Sequence, residues 1–160
     1  MLFGEKWGRM IVFLLHYKSC ESSTYNYERS DSGKYVRVGS LSGTGYNWSV
    51  AQVFCENEFG SNLASFHSSS ENSDGFGDGS WYSTYGQMWI GLNDIEIEGD
   101  YVWIDGTPLD FENWSGRQNI KTENCIRINT NDGRWNDLSC STLFQASVCN
   151  YNESHCMSVF

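Results

Sequence analysis

Apolar and polar positions change period several times along the chain, and each change marks an element. Residues up to about 29 hold no sustained period and read as a polar, irregular lead-in. Tyr35-Val36-Arg37-Val38 alternates and predicts a strand, followed by a turn-rich link over 39–45. Helical spacing then takes over at Val50, Ala51, Val53 and Phe54, with Val50, Val53 and Phe54 on one face. Asn47 or Ser49 is the expected cap of that helix, which runs to about Glu58 and stops at Gly60. Leu63 to Phe66 reads as a short extended segment. From His67 to Gln87 a serine run and the Asp-Gly alternation over 74–79 break any helix pattern, and the spacing matches no EF-hand. This stretch reads as a surface loop. Further strands are predicted at 88–92, 101–104, 125–128 and 146–150, with turns at 105–108 and 131–134. One or two helices, several short strands and long loops make an α+β fold. No internal repeat is present.

At 160 residues the chain suits one domain over 31–152, with an extension over 1–30 and a tail over 153–160. Seven Trp, nine Tyr and nine Phe are enough to build a core. A net charge of −10 argues against a phosphate-tracking nucleic-acid binder, which needs a basic footprint, and is compatible with calcium. The six cysteines form no C-x-x-C pair and only three histidines are present, so disulfides in an oxidising compartment are expected rather than zinc. Asn47-Trp48-Ser49, Asn113-Trp114-Ser115 and Asn152-Glu153-Ser154 are glycosylation acceptor patterns, which support export. The apolar run over 10–15 is shorter than a usual signal core, and no stretch is long enough to span a bilayer. The chain is expected to be a fragment of a longer secreted or membrane-anchored protein, with a degenerate signal as the alternative.

Trp48, Ala51 and Cys55 in the first helix, Trp89-Ile90-Gly91-Leu92, Glu98-Gly99, Tyr101-Val102-Trp103, Asp105-Gly106, Asn113-Trp114 and Trp135-Asn136-Asp137 stand in a specific order. From about Tyr35 to Tyr151 the chain resembles the C-type lectin-like domain. The resemblance implies that fold, short antiparallel sheets with one or two helices and a long irregular loop. It also implies two bridges, Cys55 to Cys149 and Cys125 to Cys140. Cys20 and Cys156 either pair with each other or bond another chain.

Family members that bind sugar build the site around one calcium. The resemblance puts Asn119, Glu123, Asn136 and Asp137 on its ligand positions, as both calcium and carbohydrate ligands. The ligand triplet reads Arg117-Gln118-Asn119 in place of Glu-Pro-Asn or Gln-Pro-Asp. Arg117 has five donors and no acceptor, so it cannot ligate calcium. Gln118 replaces a proline with a cis bond, and a non-proline cis bond costs about 2.5–4 kcal/mol, so the loop is expected to run trans and calcium affinity to fall. Without calcium, Arg117 is expected to pair with Glu123 or Asp137; with it, to point outward. Asp94, Glu98 and Glu123, with Asn124, match an auxiliary calcium position at which Ile120 replaces a further Asp. The plainer reading makes Asp94 and Glu98 a solvated turn.

The implied function is an extracellular, calcium-assisted carbohydrate-binding module, secreted or the ectodomain of a larger protein. Its partner is a glycan or glycoprotein, and clustering or oligomerisation would supply avidity. The alternative is a calcium-independent protein-binding module that has lost sugar binding, anchored by Trp114 and Arg117. Glu123 and Asp137 as a glycosidase pair are set aside, because they match ligand positions of a non-catalytic family. His16, His67 and His155 lie in no nucleophile pattern.

Overall fold

Residues 25–77, 84–116 and 121–157 are described by a computed structural model. Its strands are β1 (Tyr25–Arg29), β2 (Tyr35–Ser40), β3 (Gln87–Asn93), β4 (Val102–Trp103), β5 (Cys125–Asn129), β6 (Trp135–Leu138) and β7 (Ala146–Asn150). The helices are α1 (Trp48–Phe59), α2 (Ser69–Phe76) and α3 (Glu153–Met157). Six strands run in the order β1-β2-β7-β3-β5-β6, and β4 pairs with β3. Trp89 of β3 meets Ser147 of β7 in parallel, while the other pairings are antiparallel. The expected short antiparallel sheets are thus one mixed sheet, and the α+β class holds.

Successive residues of the central strands serve two cores. Met88, Ile90, Leu92, Ile126, Ile128 and Val148 pack on one side with Phe66, Trp103 and Trp135. Trp89, Cys125 and Cys149 pack on the other with Val36, Val38 and the inner face of α1. Because both faces are covered, β3 is apolar almost throughout instead of alternating. Gly91 is required by a crossing of backbones. An added Cβ would lie 2.6 Å from the Leu63 carbonyl oxygen and 2.9 Å from Ile104 Cγ2. The Gly91 N–H instead donates to the Ala64 carbonyl at 2.9 Å.

Of the two cap candidates Asn47 caps α1, its Oδ1 accepting the Val50 N–H, while Ser49 lies inside the helix; Gly60 closes it as expected, at φ 58°. The buried face of α1 is not the expected one. Trp48, Ala51, Cys55 and Phe59 point inward, while Val50 and Val53 are 52% and 51% exposed. The helix is turned by its bond to β7 through Cys55 and by Trp48, whose Nε1 donates to the Ile90 carbonyl at 2.8 Å.

Four elements depart from the pattern reading. Residues 25–29 are a strand, not an irregular lead-in: they pair with β2 along their whole length, and Tyr25 and Tyr27 pack on Phe54. Residues 69–76 form a helix in spite of their serines. Ser68 Oγ accepts the Glu71 N–H and the Glu71 carboxylate accepts the His67 N–H, a local variant of the capping box. Within it Gly75 leaves room for the Phe66 ring, which a Cβ would meet at 2.2 Å. β6 pairs with β5 across the 131–134 turn, and α3 occupies the expected tail.

Cys55–Cys149 and Cys125–Cys140 are bonded, with S–S distances of 1.97 and 2.00 Å. Cys20 lies outside the described residues, and so does the question of its pairing with Cys156.

Candidate functional site

The candidate ligands lie on the connection from β3 to β5 and on β6. Asp94 follows β3 directly and is 1% exposed. Its carboxylate accepts the Gly99 N–H at 2.8 Å and the Asn124 side-chain amide at 3.3 Å, and the same amide reaches Glu98 Oε2 at 3.4 Å. The Asp94 N–H donates to the Asn124 carbonyl at 3.2 Å, closing the base of the connection. Asp94, Glu98 and Asn124 are therefore brought together, with Asp94 buried rather than solvated.

A second group forms on β6. Strand register sets Asn136 opposite Arg127 and Asp137 opposite Ile126. Asp137 is 5% exposed and accepts the Tyr101 hydroxyl at 3.2 Å. Burial, reinforced by the Asp137 charge, pushes the Tyr101 phenol pKa upward, so the hydroxyl stays a donor. Asn136 donates its amide to Ser115 Oγ. The Tyr101 ring lies 4.8 Å from that of Trp114, which in turn packs edge-on against Trp135 at 5.7 Å. Half-buried Glu123 sits just ahead of β5, whose Cys125 opposes Leu138 and is bonded to Cys140. The bridge thus anchors the foot of the group.

Arg117, Gln118, Asn119 and Ile120 lie outside the described residues, and with them the expected pairing of Arg117. Among the described residues no three His, Cys, Asp or Glu side chains form a group that could hold a metal ion, so Glu123 does not join Asp94 and Glu98 in one. The Asn124 amide instead stands between Asp94 and Glu98. Turned over, that amide presents its oxygen, giving two carboxylates and an amide oxygen, the donor chemistry of a hard cation. Tyr101 and Ser115 carry partners that pattern reading did not assign, because those partners are 36 and 21 residues away and no local signal marks them.

The connection is pinned to the frame at Asp105. Its carboxylate accepts Ser65 Oγ at 2.5 Å, the Thr107 N–H at 3.0 Å and the Asn150 amide at 3.2 Å. Burial opposes ionisation there, but these bonds outweigh it and hold the carboxyl below the usual range.

Relatives bear on this geometry. A family model for the lectin C-type domain matches residues 44–151. The alpha-N-acetylgalactosamine-specific lectin of Patiria pectinifera is 38% identical over 119 residues, which cover 67% of this chain and 69% of the lectin. The chain spans less than two thirds of the length of several other curated relatives. The cow C-type carbohydrate-recognition domain of CD23, solved in the presence of an oligosaccharide, is 31% identical with a TM-score of 0.59, over 81% of this chain and 93% of that one. A calcium-independent type II antifreeze protein is 27% identical with a TM-score of 0.57, over 81% and 92%. No helix among the described residues is long and apolar enough to cross a membrane. With its two bridges, its W-I-G-L strand and its Trp-Asn-Asp edge in the family's arrangement, the chain belongs to the C-type lectin domain family, which is not a family of enzymes.

Proposed function

We propose that this chain is an extracellular carbohydrate-binding domain, assisted by calcium at Asn119, Glu123, Asn136 and Asp137, with Asp94 and Glu98 as an auxiliary site. The observation that carries it is the β6 edge, where Asp137 accepts the Tyr101 hydroxyl, Asn136 precedes it on the strand and bonds Ser115, and the Tyr101 ring meets that of Trp114. A sugar presents hydroxyls and an apolar C–H face, and such an edge offers a counterpart to each. Calcium there supplies a hard cation that takes vicinal hydroxyl oxygens into its shell. Export is supported by two structural disulfides. The test is a melting curve with calcium and with chelator. Calcium is expected to raise Tm, and Asp137→Ala to abolish the rise while the domain stays folded. A rise that survives Asp137→Ala and is lost in Glu98→Ala moves the metal to the auxiliary position. A glycan array then reads sugar binding directly.

One observation favours the calcium-independent, protein-binding reading. The Asn124 amide already satisfies Asp94 and Glu98, and Tyr101 already bonds Asp137. Beside them Ile95, Ile97 and Val102 are 49%, 63% and 44% exposed, an apolar surface suited to a protein contact. Absence of any calcium effect on Tm, together with a blank glycan array, selects this reading.

A further inference from the structure

The three Asn-x-Ser triplets have unlike surroundings. Asn47 caps α1, and the middle residue of its triplet, Trp48, is 4% exposed and bonded to the Ile90 carbonyl. Asn113 is half-buried beside β6. Its carbonyl accepts the Trp135 N–H at 2.8 Å, and its side-chain amide donates to the Gly133 carbonyl at 2.8 Å. The hydroxyl of its triplet, on Ser115, is held by Asn136. Asn152, Glu153 and Ser154 are all exposed. Asn152 Oδ1 accepts both the N–H of Ser154 at 3.2 Å and its hydroxyl at 2.7 Å. The Asn152 Nδ2 has no partner among the described residues.

We propose that Asn152 is an N-glycosylation site and that Asn47 and Asn113 stay bare, an inference that rests on the extracellular reading. The co-substrate is an oligosaccharide carried on a polyprenyl pyrophosphate. Asn152 Nδ2 forms a bond to sugar C1 as the bond from C1 to the pyrophosphate oxygen breaks. The lipid pyrophosphate leaves with that electron pair, and the amide proton passes to a base of the transferase. The Ser154 N–H and hydroxyl, both bonded to Oδ1, fix the amide oxygen at the start of α3 and leave Nδ2, on an exposed residue, unbonded among the described residues. Sugar on Asn113 would stand two residues from Ser115 and crowd Asn136, and the Asn47 triplet is tied down by its cap to Val50 and by the buried Trp48 at its middle position. From Asn152, just beyond β7, the glycan leaves the frame three strands away from β6 and clear of Asn136 and Asp137.

The full chain, expressed behind a cleavable secretion signal in eukaryotic cells, tests this. Secreted protein is treated with N-glycosidase in heavy-oxygen water and mapped by mass spectrometry. The label is expected at Asn152 and at neither Asn47 nor Asn113. Asn152→Gln and Ser154→Ala should each remove one glycan mass with the near-ultraviolet circular dichroism retained. Asn47→Gln and Asn113→Gln should leave the mass of the glycan unchanged. Unlabelled Asn152 on secreted, disulfide-bonded protein overturns the site and leaves the extracellular reading standing, as does label at Asn113 or Asn47. Reduced Cys55 and Cys149 in protein from its natural source overturn both.

Discussion

The frame around β2, β7 and α1 and the connection from β3 to β5 hold their shapes by different means. In the frame, Val36, Val38, Ala51, Leu63 and Cys149 pack at 0–2% exposure, and a disulfide ties α1 to β7. In the described part of the connection the only regular structure is the two residues of β4, and carboxylates do much of the rest: Asp94 to Gly99 and Asn124, Asp105 to Ser65, Thr107 and Asn150. Apolar burial is indifferent to which ligand is bound. A carboxylate can exchange a hydrogen-bond donor for a metal or a proton. The difference teaches how one fold can keep its frame while the chemistry of its loop changes.

The sharpest break in the frame is removal of its long bridge. Replacing Cys55 and Cys149 together by Ala frees a loop of 94 residues, and a loop of that size is worth about 4–5 kcal/mol of unfolding free energy in the chain-entropy treatment. Denaturant titration should show that loss. The short bridge at the foot of the site, Cys125 to Cys140, spans 15 residues, and its removal should cost about 3 kcal/mol on the same scale. If the two effects come out equal, loop length does not govern the stabilisation here.

Asp105 probes the pinning of the connection. Asp105→Asn should cost about 1–3 kcal/mol, because a charged acceptor of several bonds is lost in a partly buried position. The carboxyl is held below its ordinary pKa, so its stabilisation is fully present above the unfolded value of about 3.9. It is lost as pH falls through the lower folded value. The native protein should therefore lose stability below about pH 4, and Asp105→Asn should flatten part of that slope in a pH series of melting curves. The smallest effect is expected at Tyr101→Phe. It deletes one hydrogen bond to Asp137, worth about 0.5–1.5 kcal/mol. Fluorescence-monitored unfolding would resolve it, and a loss as large as that of a bridge would mean that the loop, not the frame, holds the fold.

Legibility followed the range of the interactions. Residues 146–150 read as a strand and are β7, and the starts of β5 and of the apolar run in β3 were equally plain. Gly60 was readable, and the N-cap was narrowed to Asn47 or Ser49, because a cap is a contact within one turn. The inward face of α1 was not readable: Val50, Val53 and Phe54 satisfy helical spacing as well as Trp48, Ala51 and Cys55 do, and only β7 and Ile90 choose between them. β1 was not legible because two alternating tyrosines are too short a run to stand out from a polar lead-in, and only pairing with β2, which lies ahead of it, makes the segment a strand. In α2 the serines and Gly75 weaken propensity, yet Ser68 and Glu71 together carried a capping signal. At the site, Asp94, Glu98, Glu123, Asn136 and Asp137 were named from order along the chain. Their contacts were not, and Asn119 lies outside the described residues.

The sequence by itself determined the family, the pairing of Cys55 with Cys149 and of Cys125 with Cys140 through the family's order, and the stop of α1 at Gly60. Only the tertiary structure decided that Asp94 is buried, that the Asn124 amide lies between it and Glu98, and that Tyr101 bonds Asp137. Those contacts join residues 26 to 36 positions apart. Strand register and the meeting of loops bring them together, and neither leaves a trace in local periodicity.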